Sequence, residues 1–392
     1  MKKNTLFVIL LILTSFICNV NSQNIQRINI GKNINTKQSL NLSAIASSVE
    51  YIPLETTDDC LLAADILQIE FIDDEIFLCD GYYIYRFNKQ GRFLKKIGKH
   101  GQGPGEYRQI ITSFILNKNN KTITVFDNLG KRSFIVYTTD GDYVKEYKSE
   151  FTGGEKRYLT NDLYLVYNSS FHYTNTKGTY GHDLILMDDN GKIRHKYKYT
   201  MPEGRRYGVM IYPAIFYFFQ GKMIYKNPFD EIIYSVNEKD KTPLYVFDLG
   251  RYDDLKDEED FTITLDRNGT PIVKSNASAK ERLAIYRLSE TEQYLYIVYN
   301  KGNDSFRGVF DKSKLQFYNI YTDNTYGITD DINKGFHFWP ILGIQHDTMI
   351  DYKRAHEFKE LNPNKVEEKL RRVINDLDEE DNPVIILAKI KK

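Results

Sequence analysis

The 392-residue chain carries no surplus of charge of either sign: 53 Lys+Arg stand against 53 Asp+Glu. No global field therefore draws it to nucleic acid or to an anionic membrane. Cysteine is scarce, with only Cys60 and Cys79 beyond the N-terminal segment, and no C-x-x-C pair occurs. Cys79, in the strand-like "EIFLCDG", reads as a buried small thiol, with a bridge to Cys60 as the rival. The seven histidines (His100, His172, His182, His195, His337, His346, His356) show neither H-x-x-x-H nor HExxH spacing, so no zinc motif is present. A G-x-S-x-G elbow is also missing, which leaves serine hydrolysis without its usual signature. Past the N-terminal segment, no apolar run is long enough to span a membrane as a helix.

Aromatics are abundant instead, with 30 Tyr and 23 Phe beside a single Trp. Such residues suit pleated, half-buried surfaces and point to β structure. The chain opens "MKKNTLFVILLILTSFICNVNSQ", two lysines before an apolar run and then small or polar residues. Residues 1–22 read as a secretory signal peptide, with Val20 and Ser22 placed for cleavage before Gln23. Lipidation at Cys18 is the rival, although Phe16 and Ile17 stand where a lipobox wants a small residue. The expected compartment is the periplasm or the cell surface.

A repeat organises the remainder. The segments "YIYRFNKQGRFLKKIG", "SFIVYTTDGDYVKEYK", "DLILMDDNGKIRHKYK", "EIIYSVNEKDKTPLYVFD" and "RGVFDKSKLQFYNIY" each read as a hairpin around a turn able to take φ > 0. Turn glycines Gly91, Gly141 and Gly191 fall at equal spacing, about fifty residues, with the next turn near Asp240 and the last near Lys314. The wider final interval assigns the charged residues 251–282 to an insert. Two strand-like runs precede each hairpin, as "LQIEFI" and "EIFLCD" precede the first. Four strands per unit at this period is the pattern of a propeller blade.

The expected fold is all-β, a six-bladed β-propeller of four-stranded antiparallel blades over residues 49–392, with residues 23–48 as a linker. The sixth blade takes inner strands from "HFWPILGIQ" and "TMIDYKRAHEF", the strand "VIILAKIKK", and an outer strand from "VEYIPLE". N- and C-terminal strands thus close the ring. One short C-terminal helix is expected over 364–378, capped by Asn364 with Glu367 as capping-box partner. Its buried face would be Val366, Leu370, Val373, Ile374 and Leu377.

The loop "GKHGQGPGEY" resembles the signature of NHL-type repeats, in which such a loop joins one blade to the next. With "YIPLETT", "NPFDEIIYSV" and "DEEDNPVIILAKIKK", the frame resembles a secreted six-bladed propeller family of gut-type Gram-negative bacteria. That resemblance implies fold and compartment rather than activity. Read from the residues, Gly98 and Gly103 have the spacing of P-loop glycines, but Pro104 and Gly105 stand where Lys and Ser/Thr belong, and "RQIITSFILN" is a strand. Gly98, Gly101, Gly103, Pro104, Gly105 and Glu106 are therefore expected to form a structural joint, with Glu106 bonding backbone amides inside it.

The candidate ligand-binding surface is the propeller mouth. It would gather Arg108, Lys131, Arg132, His172, Tyr173, Arg205, Arg206, Tyr207, His337 and Trp339, since aromatics beside Arg suit sugar rings and carboxylates. The plainer alternative makes "GFHFWP" core or channel lining. The acidic run Asp253, Asp254, Asp257, Glu258, Glu259 and Asp260 lacks the D-x-[DN]-x-[DN]-G pattern and reads as solvated. No cofactor is implied, calcium in the channel being the alternative. The expectation is an exported, monomeric, non-catalytic propeller binding a glycan, peptide or envelope protein through one face. A carbohydrate- or lactone-active enzyme at the channel mouth is the rival.

Overall fold

The computed structural model describes residues 25–108, 113–127, 133–148, 156–160, 162–168, 180–200, 214–228, 230–252, 261–265, 271–275 and 283–391. Six antiparallel sheets form the six blades of a propeller. Blade 1 runs Gln68–Ile72, Glu75–Cys79, Ile84–Asn88 and Phe93–Ile97 from inner to outer strand. Blade 2 runs Phe114–Asn117, Thr122–Phe126, Ser133–Thr138 and Tyr143–Lys148. Blade 3 runs Lys156–Thr160, Leu163–Tyr167, Tyr180–Asp188 and Ile193–Thr200. Blade 4 runs Ile215–Phe219, Lys222–Lys226, Ile232–Val236 and Lys241–Asp248. Blade 5 runs Leu283–Glu290, Tyr294–Lys301, Asp304–Asp311 and Gln316–Thr322.

Blade 6 is built from both ends of the chain. Gly343–Gln345, Thr348–Lys353 and Val384–Ile390 supply three strands, and Ala46–Pro53 supplies the outer one, with Val49 opposite Ala388. This closure removes an open edge from the ring. The second strand of each blade is sandwiched between neighbouring blades, so both of its faces are apolar. Ile76, Phe77, Leu78 and Cys79 are all fully buried, whereas the outer strand Tyr143–Lys148 is largely open to solvent. Side chains also cross between inner strands. Gln68 brackets Phe114, accepting from its amide at 3.0 Å and donating to its carbonyl at 3.1 Å. Gln345 does the same from blade 6 to blade 1, donating to the Ile69 carbonyl at 2.8 Å and accepting from the Phe71 amide at 3.3 Å.

Four sequence expectations need correction. The supposed linker is, from residue 25 onward, a strap. Gln26–Asn29 adds in parallel to the outer strand of blade 4, and Lys37–Gln38 to that of blade 5. Ile28, Ile30 and Leu42 are fully buried, an apolar content that a free linker would not bury. The C-terminal helix is shorter than expected, Glu368–Asp376. Asn362 forms a turn that takes the amides of Asn364 and Lys365, and Lys334 holds Glu367 at 2.6 Å, so the Asn364 cap does not form. Its apolar face is as expected, with Val366, Leu370, Ile374 and Leu377 buried. "RAHEF" is not strand: a second helix, Ala355–Glu360, begins there, with the Glu357 carboxylate accepting from the Arg354 amide at 2.8 Å. The inner strand expected from "HFWPILGIQ" is confined to Gly343–Gln345.

The hairpin turns follow the sequence reading in four cases, with φ positive at Gly91, Gly141, Gly191 and Leu315. The turn near Asp240 is held differently: the Asn237 side chain accepts from the amides of Lys239 and Asp240. Within the insert 251–282, Phe261–Leu265 pairs with Pro271–Ser275, and the acidic run 253–260 lies outside the described residues. Cys60 and Cys79 are separate buried thiols. Burial pushes the Cys79 thiol up to about 12. The signal-peptide residues and Cys18 also lie outside the described residues.

The glycine-rich loop joins blades 1 and 2. Gly98 and Gly105 have φ of 73° and 69°, a region costly for residues with a Cβ. Both are also hemmed in by tyrosines of blade 2. A Cβ on Gly98 would lie 2.7 Å from the Tyr137 ring, and one on Gly105 would lie 2.6 Å from the Tyr143 ring. Tyr137 donates its hydroxyl to the Gly105 carbonyl at 2.7 Å. The Glu106 carboxylate folds back to accept from the Gly103 amide at 2.7 Å. The loop is thus a joint, filled by its own carboxylate.

Candidate functional site

Of the residues expected at the mouth, Arg108, His337 and Trp339 lie among the described residues. Arg108 is exposed at the end of the first crossover, where its amide donates to Asp127 at 3.1 Å. His337 is half-buried in the fifth-to-sixth crossover, its ring 3.4 Å from the Gly327 carbonyl. Trp339 is only 3% exposed and packs edge-on against Tyr296 with ring centroids 5.7 Å apart. For Trp339 the alternative reading of "GFHFWP" as core is the right one, because the crossover turns its ring into the interface of blades 5 and 6. Lys131, Arg132, His172, Tyr173, Arg205, Arg206 and Tyr207 lie outside the described residues.

That interface holds the more informative constellation. Arg287 lies opposite Val298, and Val298 lies opposite Arg307, so the three share one face of blade 5. Val298 packs in one core with Met349 and Trp339, which makes this the face turned to blade 6. From the other side, Asp351 and Lys353 alternate with Met349 along Thr348–Lys353 and face blade 5. A β-bulge between Ile285 and Arg287 re-aims the inner strand. As a result two successive residues serve the same junction: Tyr286 packs on this core with its hydroxyl 2.8 Å from Ser305, and Arg287 reaches toward blade 6.

Charges at the junction do not balance. Asp351 is buried, accepts from the Trp339 amide at 3.0 Å and the Tyr352 amide at 2.9 Å, and has Lys353 at 3.8 Å. Burial holds its carboxyl above the usual range, against the pull of Lys353 and those amides. Among the described residues Arg307 donates to Ser305, at 3.4 Å, and its charge also acts on Asp351. Arg287 donates to the Ile341 carbonyl at 2.8 Å, and among the described residues no carboxylate pairs with it. Burial, with Arg307 adding to it, pushes the Arg287 guanidinium down; Tyr352 and Tyr286 oppose the shift. On these facing strands, among the described residues, three cations thus meet one carboxylate. Sequence reading passed over Tyr286, Arg287, Ser305, Arg307 and Lys353. The available signal was an arginine among the apolar residues that open the inner strand "LAIYRLSE".

Two further buried carboxylates are held across blades. Asp183 of blade 3 is fully buried and meets Lys241 of blade 4 at 2.6 Å, the Tyr225 hydroxyl at 2.8 Å and the Asn227 amide at 3.0 Å. Glu290 of blade 5 takes Lys312 at 2.6 Å and the blade 4 hydroxyls of Tyr245 at 2.7 Å and Tyr217 at 2.9 Å. These satisfied networks fasten blades together. Among the described residues, no cluster of three or more His, Cys, Asp or Glu has the geometry of a metal site, and no helix is long and apolar enough to cross a membrane.

A closed ring of six four-stranded blades, with a cationic junction at one interface, defines a six-bladed propeller built around a rigid scaffold. By a family match over residues 25–389, the chain belongs to DUF4934, a domain family of unknown function. The chain is similar in structure to an exported protein of Bacteroides fragilis, at TM-score 0.68 and 21% identity over 94% of this chain and 100% of that one. It is also similar to virginiamycin B lyase of Staphylococcus aureus bound to quinupristin, at TM-score 0.41 and 11% identity over 87% and 99% of the two chains. The first likeness shows the fold, and the second is too slight to bear on function. No curated protein matches the chain.

Proposed function

We propose that this protein is an exported, non-catalytic propeller that binds a glycan, peptide or envelope protein through one face. The observation that carries the reading is the junction of blades 5 and 6, where Arg287, Arg307 and Lys353 on the facing strands meet one carboxylate among the described residues, Asp351. A preorganised cationic surface of this kind favours recognition over turnover. Export rests on the N-terminal "MKKNTLFVILLILTSFICNVNSQ", read as a signal peptide removed before Gln23, and is supported by the exported Bacteroides relative. The "GQGPGEY" joint is read as an NHL-type blade connection, its role confined to the scaffold.

On this reading the mature chain acts as a monomer and needs no cofactor, so chelation leaves binding unchanged. The test is capture from envelope extracts together with glycan-array binding by the mature chain, residues 23–392. Retention of a discrete ligand in either assay supports the reading, and failure of both refutes it. Turnover of a sugar or lactone substrate, abolished by changing a carboxylate at the mouth, would replace it with the enzymatic alternative.

A further inference from the structure

We propose that the junction of blades 5 and 6 is a receptor for the carboxylate of an acidic saccharide, with Arg287 and Arg307 as the recognising groups. This rests on the binding reading above and names its ligand class. An arginine presents five N–H donors in a planar fork. At Arg287 only Nη1 has a protein acceptor among the described residues, the Ile341 carbonyl at 2.8 Å. At Arg307 only Nη1 has one, the Ser305 hydroxyl at 3.4 Å. The fork geometry matches a carboxylate through two parallel bonds.

Folding alone gives no reason for this arrangement. A guanidinium drawn out of water without a counter-ion destabilises the fold, and a second cation beside it adds repulsion. Two other cations of this molecule have acids: Lys241 has Asp183, and Lys312 has Glu290. Arg287 has no such acid among the described residues, and a bulge between Ile285 and Arg287 re-aims the strand at this point. Asp351 carries a single negative charge and already has Lys353 and Arg307 drawing on it, so it does not neutralise Arg287 as well. An anion from outside does. Beside the two arginines lie the hydroxyls of Tyr286 and Ser305, 2.8 Å from each other. Hydroxyls beside an anion receptor fit a sugar carboxylate and its ring oxygens.

The experiment is calorimetric titration of the mature chain with D-glucuronate and with a short oligouronate, against glucose, inorganic phosphate and a peptide ending in a free carboxylate. The expected result is uronate binding at least tenfold tighter than glucose, and tighter than phosphate or peptide. Arg287→Met should weaken uronate binding at least tenfold while leaving the Tm of the free protein unchanged or raised, because it removes an uncompensated charge. Arg287→Lys should recover part of the affinity. Should Arg287→Met fail to fold, Arg307→Gln serves in its place, with the same loss of uronate affinity expected.

Equal affinity for glucuronate and glucose overturns the proposal, as does tighter binding of phosphate or of the peptide. A marked fall in Tm for Arg287→Met with uronate affinity intact would make the residue structural and overturn it as well. Array or extract binding that survives Arg287→Met would sink this assignment while leaving the binding reading in place. A wild-type chain that binds nothing in any arm sinks both.

Discussion

Asp183 gives the sharpest test of how the ring is held. Its carboxylate is fully buried between blades 3 and 4, 2.6 Å from the Lys241 ammonium and within hydrogen-bond distance of Tyr225 and Asn227. The ammonium also lies 5.1 Å from the ring centres of Tyr199 and Tyr234 and 5.7 Å from that of Tyr225. Asp183→Ala would leave that ammonium buried against three rings without its counter-charge. Breaking such a pair costs about 3–5 kcal/mol. Replacing both partners by apolar residues, Asp183→Leu with Lys241→Met, should cost far less than the sum of the single changes. The expected coupling is at least about 2 kcal/mol. Urea denaturation of the mature chain measures this. Hydrogen exchange resolved to blades 3 and 4 guards against unfolding in stages, to which a chain of this size is prone. A single-variant loss below about 1 kcal/mol, or an additive double variant, would refute the view that this pair fastens the blades.

Three further outcomes follow from particular contacts. Gly105→Ala should destabilise more than Gly221→Ala: both positions have positive φ, but only at Gly105 would the new Cβ meet an aromatic ring, whereas nothing lies within 4 Å at Gly221. The difference should exceed about 1 kcal/mol in thermal unfolding, and equal effects would remove the joint's tight packing as the cause. Gln345→Ala should cost about 1–2 kcal/mol in denaturant unfolding by opening the amide bracket between blades 6 and 1. Burial raises the Asp230 carboxyl to about 7, against the opposing pull of Lys226. The native state therefore binds a proton there that the unfolded chain gives up from near pH 4. Asp230 thus contributes stability that is full below the unfolded value and is lost as pH rises toward about 7. Asp230→Asn should flatten that slope in denaturation midpoints taken from pH 4.5 to 8, and an unchanged slope would assign it to other groups.

The frame was legible because each blade repeats the same alternation and the turns carry their own chemistry. Gly91, Gly141 and Gly191 take the positive φ that their spacing implied. Both-ends closure followed from an unpaired "VEYIPLE" strand before the first full unit. The strap was misread because its buried positions, Ile28, Ile30, Ile34, Leu42 and Ile45, follow no single period: a parallel strand, two one-turn helices and a bend divide them. Helix limits shifted because Asn362 and Lys334, neither inside the helix, decided where its first turn could start. Trp339 was placed at the mouth on residue type alone, and only the pairing of Ile328 with Phe338 shows the crossover turning it inward.

The site is hard to read from sequence for a related reason. What recurs in blades 1 to 4 is scaffold: a polar residue follows the second strand at Asp80, Asp127, Asn168 and Asn227, and each is buried or half-buried while tying down backbone or a neighbour. Such a position is visible as repetition and is explained by it. The inner strand of blade 3 carries two cations, Lys156 and Arg157, and Arg287 is visible only as a cation in the inner strand of blade 5. Its meaning depends on which residues lie across from it in another blade, some fifty to sixty positions away in sequence at Ile341, Asp351 and Lys353. Charge compensation is a property of the assembled interface, so no window of sequence can show that a compensating acid is missing. A repeat fold therefore hides its binding groups in the residues that break the repeat. The test for such a group is whether the fold, on its own account, would be as stable without it. By that test Asp183 belongs to the scaffold, because removing it strands Lys241, while Arg287 leaves nothing charged behind when it goes.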